Sequence, residues 1–375
     1  MSDGKITTPC FVVNVDKAVM HYKNWMSAFN AYNRSDLIAY SIKANYDVEI
    51  IESLNHAGSM FEVCTKYEYD LLILRGIDPK RIIVNGTICD AADFEIYASN
   101  KSLVILDSDR AVNIAIGSNL ECHIGIRCNL DWVKTDKALY KSCISRFGID
   151  DVAGCLRKLE QAKHLKLVAL QAHFSGNTRA PQVYGGIVRG LSAIVAMNKL
   201  KGIEFFDIGG GYKIASNYWD ESDYVKEVSQ ELMNNGLEHI HIIYEPGNAI
   251  VRDTVSYFTK IIDIKKIQNK IYCVVDGSTL HIPYLKRTKL FDYEILGKNN
   301  IRKIKEQTIV GCTCKESDVF VCLDDYFEIM NDSCLIIDNV GAYVINEVSS
   351  FLLDIPFFYY DVDINLIKQD VSNWL

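Results

Sequence analysis

The sequence has 375 residues, of which 49% are hydrophobic and 23% charged, and its formal net charge is −8. The length suits a barrel with a smaller second domain, and acidic charge spread along the chain argues against a nucleic-acid or membrane partner. No signal-like or membrane-length apolar stretch appears, so we expect a cytoplasmic protein with reduced thiols. Neither the 12 cysteines nor the 8 histidines are spaced like metal ligands, so we expect no metal site.

Between residues 37 and 248, short apolar and β-branched segments alternate with helical patterns. Eight successive strand–helix units predict an α/β protein with a closed (β/α)8 barrel, and an open doubly wound sheet is the structural alternative. The predicted helices include Asp47–Ala57, Tyr67–Leu74, Asp90–Ala98 and Val183–Asn198. The predicted strands are Leu37–Lys43, Met60–Cys64, Ile82–Asn85, Leu103–Asp107, His123–Arg127, Leu167–His173, Phe205–Gly209 and Ile242–Glu245.

The pattern changes after about Arg252, where strand-like segments follow one another with little helix between them. This predicts a second, β-rich domain of the barrel or sandwich type. The short segment Cys10–Val15 could pair with it, so we predict a barrel domain at residues 25–252 and a β-rich domain made of residues 1–24 and 253–375. The predicted strands of the second domain are Thr254–Ile264, Lys270–Val275, Thr308–Gly311, Val319–Cys322 and Ser333–Ile337.

Polar residues stand where the predicted barrel strands end. Active sites of such barrels lie at this face, although strands also end in polar residues simply because they reach the surface. Lys43 is the most informative of them, because it closes an apolar strand in the segment Tyr40–Asn45. We expect desolvation to lower the pKa of its amine and make it a nucleophile that forms a Schiff base with an aldehyde cofactor. The strand-end residues are Lys43, Glu62, Asn85, Asp107, Arg127, His173, Gly209–Gly211 and Glu245.

Two further motifs follow the seventh and eighth predicted strands, Gly209–Gly211 and Glu245–Gly247. Successive glycines let the backbone approach a bulky anion, and barrels often bind phosphate in these two loops. Either motif alone is explained by a tight turn, but together they favour a phosphate site. Glu245 would then hold the protonated nitrogen of a pyridine ring. His173 is a candidate to stack on that ring, although a single histidine is commonly structural.

With these residues the chain resembles the pyridoxal-phosphate-dependent decarboxylases of the alanine-racemase-like barrel type, which include ornithine, arginine and diaminopimelate decarboxylases. The likeness extends from Thr8 to Phe351. It implies a carboxy-lyase of amino-acid metabolism that uses pyridoxal 5′-phosphate, and an obligate head-to-tail homodimer with shared active sites. The motifs that carry the likeness are Tyr40–Asn45, Glu62–Cys64 with Glu68, Ser145–Gly148, His173, Gly209–Gly211, Glu245–Gly247, Gly311–Cys314 and Gly341–Tyr343.

The resemblance also implies roles for individual residues. Lys43, His173 and Cys314 are the catalytic candidates, and Cys314 is expected to enter the partner subunit's active site. A thiol has a suitable pKa to protonate the carbanion that remains after carbon dioxide leaves. Tyr343 is expected to touch the phosphate. The cofactor-binding candidates are Lys43, Arg127, His173, Gly209, Gly210, Gly211, Glu245, Gly247 and Tyr343.

Three departures from the family pattern bear on function. Where the family has arginine after glutamate–proline–glycine, this chain has Asn248, so a phosphate contact is lost or moves elsewhere, with Arg252 as a candidate. Serine and glycine are exchanged in the segment after His173. The family's acidic residue after the cysteine, which often holds a distal amine, is replaced by Lys315, and Glu316 follows it.

Lys315, Glu316 and Asp276 are the candidate substrate-binding residues. Because a lysine would repel simple diamino acids, we expect a substrate with a neutral or anionic distal end. Examples are a siderophore or antibiotic intermediate of specialised metabolism, or an aminoacyl group linked to a carrier protein or nucleotide. The alternative is that Lys315 simply faces solvent.

Three other functions stay open at this point. One is a diaminopimelate- or ornithine-type decarboxylase of free amino acids. The second is an amino-acid racemase, which would not need the Cys314 motif or a glutamate at the pyridine nitrogen. The third is a non-catalytic carrier of pyridoxal phosphate, against which the β-rich second domain argues.

Overall fold

The computed structural model describes residues 6–87, 90–130, 145–176, 178–214, 219–283, 292–297 and 302–362. The chain divides into two compact units, one of residues 19–43 and 51–250, and the other of residues 1–18, 44–50 and 251–375. It begins with the strand β1 (Cys10–Val13) and the helix α1 (Val15–Ala31). None of the helices in these described ranges combines the length and the apolar character needed to cross a membrane.

The larger unit contains eight parallel strands that close into a barrel, which confirms the predicted (β/α)8 fold over the open sheet. Closure comes from the pairing of Leu37 with Ile243 and of Ile38 with Tyr244. A buried apolar cluster takes Ala39 and other side chains from five of the strands. The strands are β2 (Leu37–Ser41), β3 (Met60–Val63), β4 (Ile82–Val84), β5 (Leu103–Leu106), β6 (Cys122–Arg127), β7 (Leu165–Gln171), β8 (Phe205–Asp207) and β9 (His241–Tyr244).

Helices join successive barrel strands, and their first residues explain where they start. Thr65 and Glu68 form a capping box, in which each side chain accepts a hydrogen bond from the other residue's backbone N–H, and Asp220 and Asp223 form another. These bonds satisfy N–H groups that a first helical turn leaves unpaired. All four predicted helices are confirmed to within two residues. The helices are α2 (Val48–Ala57), α3 (Lys66–Leu74), α4 (Ala91–Ser99), α5 (Asp109–Ser118), α6 (Val152–Gln161), α7 (Pro181–Asn198), α8 (Glu221–Asn234) and α9 (Asn248–Val251).

The smaller unit is built on an eight-stranded sheet, which confirms a β-rich second part of the chain. Its β1 pairs with the first long strand after the barrel, Cys10 opposite Phe258, so the predicted association of the N-terminal strand with the C-terminal sheet is confirmed. That sheet buries an apolar cluster that includes Val12 and Ile336. The strands are β10 (Val255–Ile267), β11 (Lys270–Val275), β12 (Tyr293–Leu296), β13 (Lys303–Val310), β14 (Val319–Phe327), β15 (Cys334–Ile337) and β16 (Phe357–Tyr360).

Candidate active site

Lys43 lies just beyond β2, in a short 3₁₀ turn over Ile42–Ala44. Its Nζ atom donates to Glu62 Oε2 at 2.6 Å and lies 3.3 Å from Cys64 Sγ. The parallel register of β2 and β3, which sets Ser41 beside Glu62, brings these groups together. The Glu62 side chain is 1% exposed and that of Lys43 41%, so a buried carboxylate meets an accessible amine.

The charges around Lys43 change its protonation in a direction that the sequence did not indicate. Burial opposes a charged amine, but attraction by Glu62, Cys64 and Glu245 outweighs it, and the pKa of Lys43 is raised well above its ordinary value. The expectation that desolvation lowers this pKa is therefore wrong, because the sequence could not show the carboxylate at 2.6 Å. Burial alone would raise the pKa of the Glu62 carboxyl. The positive charge of Lys43 and the hydrogen bonds to the carboxylate outweigh burial, so this pKa lies below its ordinary value.

Glu245 follows β9 and is buried against the neighbouring strand ends. Asn85, just beyond β4, donates from Nδ2 to Glu245 Oε1 at 2.8 Å. Burial and the nearby charge of Glu62 raise the pKa of Glu245 to about 6. Asp207, the last residue of β8, is fully buried, and burial together with Glu245 raises its pKa well above the ordinary value. Of these two carboxyl groups, Asp207 therefore retains its proton to the higher pH.

The glycine motif forms a tight loop after β8. Gly209 and Gly211 have φ angles of +71° and +91°, a conformation that strains any residue with a side chain. A Cβ atom at Gly210 would lie 2.2 Å from the Glu245 carbonyl oxygen. Two tyrosines fix the loop from below, since Tyr212 donates to Gly209 O at 2.7 Å and Tyr184 to Gly210 O at 3.2 Å. No sequence pattern indicated these tyrosines, which are aromatic residues of a buried cluster.

His173 and Arg127 lie just after β7 and at the end of β6. Burial, reinforced by the positive charges of Arg127, Arg179 and Lys43, lowers the pKa of His173 to about 3. Its imidazole is therefore neutral across the physiological range. Arg127 Nη1 lies 3.5 Å from Asp107 Oδ1, and the Arg127 guanidinium carbon lies 4.8 Å from the centre of the Phe147 ring, so the guanidinium has a carboxylate and an aromatic partner.

The structure brings one set of predicted site residues to the barrel strand ends, and the others belong to the smaller unit. Lys43, Arg127, His173, Gly209, Gly210, Gly211, Glu245 and Gly247 all lie at the carboxyl ends of barrel strands. The smaller unit contains Asp276, Cys314, Lys315, Glu316 and Tyr343.

Within the smaller unit these residues have quite different surroundings. Asp276 accepts hydrogen bonds from the hydroxyl groups of Thr8 and Thr259, at 2.6 and 2.7 Å, so its carboxylate, just after β11, connects the segment that precedes β1 with β10. Cys314 is exposed. The Nζ atom of Lys315 lies 4.4 Å from the centre of the Phe351 ring. Tyr343 donates its backbone N–H to Ala44 O at 2.8 Å.

Comparison with known proteins gives consistent matches over most of the chain. Residues 15–252 match the family described as pyridoxal-dependent decarboxylase, pyridoxal binding domain. The chain is 26% identical to a diaminopimelate decarboxylase of Helicobacter pylori over 367 residues, which covers 92% of this chain and 87% of the relative. A diaminopimelate decarboxylase of Aquifex aeolicus is 25% identical over 334 residues, covering 84% and 79% of the two chains.

The solved structures show that the fold is shared. Diaminopimelate decarboxylase from M. jannaschii in complex with L-lysine superimposes with a TM-score of 0.80 at 18% identity, covering 94% of this chain and 87% of that one. Arginine decarboxylase of Paramecium bursaria Chlorella virus bound to agmatine has a TM-score of 0.80 at 17% identity, with coverage of 94% and 96%.

Proposed function

Since the chain belongs to the pyridoxal-dependent decarboxylase family, we propose that it decarboxylates an amino-acid-type substrate whose distal end is neutral or anionic. The family membership itself makes the protein a carboxy-lyase that acts on amino acids with pyridoxal 5′-phosphate as its cofactor. One observation supports the finer statement about the substrate. Lys315 stands where the family pattern has an acidic residue that holds a distal amine.

The residues at the barrel strand ends fit the cofactor. The Gly209–Gly211 loop forms a cradle that a single Cβ would fill, which suits close approach of a phosphate to the backbone. Glu245 is a buried carboxylate with a pKa of about 6, suited to a pyridine nitrogen that carries a proton. Lys43 offers the amine for the aldehyde carbon. Arg127, Gly247 and Tyr343 stay proposed cofactor contacts.

When bound, the cofactor supplies an electron sink for the electron pair that is left as carbon dioxide departs. The chain's own groups prepare this chemistry. Glu245 would hold a proton on the ring nitrogen, and the hydrogen bond from the Asn85 amide favours the ionised form of the Glu245 carboxylate that this requires. Glu62 lies where it can receive the proton of Lys43 Nζ. The neutral imidazole of His173 can lie against the ring without opposing its charge.

The proton that replaces carbon dioxide must come from an acid close to the substrate's α-carbon. We assign this role to Cys314 of a second copy in a homodimer with shared sites. Its support is the family resemblance and the exposure of this thiol, which leaves it accessible to another chain. A cysteine is a competent acid near neutral pH when its surroundings tune its pKa.

Lys315 and Glu316 then face the substrate's distal end. A lysine ammonium repels a terminal ammonium and attracts a carboxylate or phosphate. In a desolvated site this difference in affinity between the two kinds of substrate is larger than at an exposed surface. The substrate class that follows is a carboxylated intermediate of specialised metabolism, or an amino acid that is linked to a carrier protein or nucleotide through its distal group, so that its α-carboxylate stays free to leave as carbon dioxide.

A second candidate is the decarboxylation of free diaminopimelate. The curated relatives named diaminopimelate decarboxylases favour it. Its distal end carries both an ammonium and a carboxylate, so the carboxylate could meet Lys315. The two candidates differ in whether the distal ammonium is tolerated.

The test combines spectroscopy with product analysis. Purified protein incubated with pyridoxal 5′-phosphate should develop the visible band of a lysine-linked cofactor, and the Lys43→Ala variant should not. Released carbon dioxide is then measured with lysine, ornithine, diaminopimelate and acidic amino acids of matched length. Release from acidic substrates alone supports the proposal, and release from diaminopimelate supports the second candidate. Inversion of the α-carbon without carbon dioxide would make the protein a racemase and refute both.

A further inference from the structure

We propose that Arg179 supplies the cationic contact to the cofactor phosphate in this chain, in place of the arginine that the family pattern has at position 248. The inference rests on the proposed function, because it places the phosphate at the Gly209–Gly211 loop. It adds a cofactor-binding residue from another loop, the one that joins β7 to α7.

The guanidinium of Arg179 lies directly against the glycine loop. A Cβ atom at Gly211 would be 2.7 Å from Arg179 Nη1 and 2.8 Å from its Cζ. Gly211 has a φ of +91°, so both its conformation and its space require glycine. The arginine thus covers the part of the loop that a phosphate would approach.

The arginine is held in this position by its own loop and by the aromatic cluster under the glycines. Its Nη1 donates to Phe174 O at 2.5 Å, and its carbonyl oxygen accepts from the Tyr224 hydroxyl at 2.8 Å. Tyr224 packs edge-on against Tyr212, with ring centres 5.1 Å apart, and Tyr212 in turn holds Gly209. Arginine and glycine loop therefore share one rigid support.

The charge of Arg179 is available to an anion. In the part of the chain that the structure describes, no carboxylate forms an ion pair with its guanidinium, whereas Arg189 on α7 is paired with Glu231. A guanidinium has five N–H donors in a planar fork that matches phosphate oxygens. One Nη1 donor is used by Phe174 O.

The two alternative positions for this cation, residues 248 and 252, differ from Arg179 either in charge or in the unit to which they belong. Asn248 begins α9 and carries no charge. Arg252, the candidate from the sequence, belongs to the smaller unit, where its carbonyl oxygen accepts from Gly341. The loops after β7 and β9 follow parallel strands of one closed barrel and so lie at the same barrel face, which allows a cation in the first loop to take the place of one in the second.

Cofactor affinity tests this assignment without reference to activity. The dissociation constants of pyridoxal 5′-phosphate and of pyridoxal, which lacks the phosphate, are measured for wild type, Arg179→Gln and Arg179→Lys, with Arg189→Gln as the matched control. Loss of one charge-assisted contact should weaken pyridoxal 5′-phosphate binding about 10- to 100-fold in Arg179→Gln. Pyridoxal binding should not change, and Arg189→Gln should bind both as wild type does. Introducing Asn248→Arg into Arg179→Gln should restore affinity.

A second measurement uses the unaltered protein, in case Arg179→Gln does not fold. Phenylglyoxal labels accessible arginines, and peptide mass spectrometry gives the rate at each one. Inorganic phosphate should slow labelling of Arg179 and leave Arg189 unaffected.

The outcomes separate this inference from the proposed function. Equal weakening of pyridoxal and pyridoxal 5′-phosphate by Arg179→Gln, unchanged binding of both, or labelling of Arg179 that phosphate does not slow would each overturn the assignment. If wild type binds neither pyridoxal nor its phosphate, the proposed function itself is what fails.

Discussion

The Nζ atom of Lys43 lies 2.6 Å from the buried Oε2 atom of Glu62, and this contact controls whether the lysine carries a proton. An ammonium has no lone pair with which to attack a carbonyl carbon. The same carboxylate that raises the pKa of Lys43 is also the base to which its proton can go. The pair thus holds the lysine unreactive until the proton is transferred.

Replacing Glu62 with glutamine should therefore make Lys43 more reactive in the cofactor-free protein. Without the negative charge the pKa of Lys43 falls, and each unit of fall gives about tenfold more free amine at a fixed pH below that pKa. The rate of Lys43 acetylation at pH 8, followed by peptide mass spectrometry, should rise at least about tenfold.

The matched control is Glu68→Gln. Glu68, in the first turn of α3, is also a buried carboxylate, but it accepts hydrogen bonds from the backbone N–H groups of Cys64 and Thr65. It should leave the labelling of Lys43 close to the wild-type rate. Equal labelling of Lys43 in wild type and Glu62→Gln would show that this ion pair does not control the amine.

The hydrogen bond from Asn85 to Glu245 predicts a pH effect on cofactor affinity. Glu245 has a pKa raised to about 6, and the Asn85 amide favours the charged form. As pH falls through about 6, Glu245 is protonated and can no longer accept from a ring nitrogen, so affinity for pyridoxal 5′-phosphate should decline. In Asn85→Leu this decline should begin at higher pH.

Titration of binding between pH 5 and pH 8 measures the effect. Asn100→Leu is the control, because the Asn100 amide donates to the Tyr69 hydroxyl instead. If affinity declines at the same pH in Asn85→Leu as in wild type, the Asn85 amide is not the group that keeps Glu245 ionised.

Asp207 predicts a pH dependence of stability. Its pKa is raised above the unfolded value, so the folded protein binds a proton that the unfolded chain releases. The contribution to stability is fully present below the ordinary carboxyl pKa and is lost as pH rises, at up to about 1.4 kcal/mol per pH unit. Asp207→Asn replaces the acid by a neutral group of the same shape, so its advantage in unfolding free energy over wild type should grow from pH 4.5 to pH 7.5.

Asp318, in the smaller unit, is a carboxyl group whose pKa is shifted in the opposite direction to that of Asp207. Burial raises the pKa of this carboxyl, but hydrogen bonds from Thr313, Thr279 and Ser278 outweigh burial and hold it below its ordinary value. Its contribution is present above the unfolded pKa and is lost as pH falls. Asp318→Asn should therefore lose most against wild type at neutral pH. Urea unfolding of the cofactor-free wild type, Asp207→Asn and Asp318→Asn at several pH values measures both effects on the free energy of unfolding. If this free energy depends on pH in the same way in Asp207→Asn and in wild type, Asp207 is not protonated in the folded protein.

The barrel and most of the site could be predicted from sequence because both depend on local patterns. Each barrel strand is a short apolar run that ends at the functional face, so Lys43 and Glu245 could be placed from their positions alone. The strands β12 and β16 could not, because their side chains are mostly half-exposed or exposed and lack a buried apolar run.

Properties that depend on distances between separate strands were also out of reach. The raised pKa of Lys43 needs Glu62 from the next strand, and the position of Arg179 needs the glycine loop after β8. The Tyr212 hydroxyl donates to the Gly209 carbonyl oxygen, a contact that no local pattern in the sequence indicates.

The close approach of Gly210 to Glu245 predicts that even one methyl group disables the cofactor site. In Gly210→Ala the new Cβ would lie 2.2 Å from the Glu245 carbonyl oxygen, so the loop or the glutamate must move. We expect affinity for pyridoxal 5′-phosphate to fall at least about tenfold, the equivalent of one lost hydrogen bond. Gly117→Ala in α5 is the control, since a Cβ atom there would meet nothing within 4 Å beyond its own helix backbone and chain neighbours, and alanine favours a helix. Unimpaired binding in Gly210→Ala would mean that the loop is not the phosphate cradle.

The charge of Lys315 should determine which distal group of a substrate is preferred. Lys315→Glu should raise turnover of substrates with a distal ammonium relative to those with a distal carboxylate, by about tenfold or more in the ratio of kcat/KM, since reversing one charge contact changes binding by at least about 1.4 kcal/mol. The variant also loses the contact between Lys315 and the Phe351 ring, 4.4 Å apart. That loss costs only about 0.5–1 kcal/mol at an exposed site, so the fold should be retained. Phe351→Leu removes the ring and keeps the charge, and it should keep the wild-type preference. A preference that shifts equally in both variants would trace to the ring, whereas one that shifts in neither would leave Lys315 as a solvent-facing residue and remove the ground for an anionic substrate.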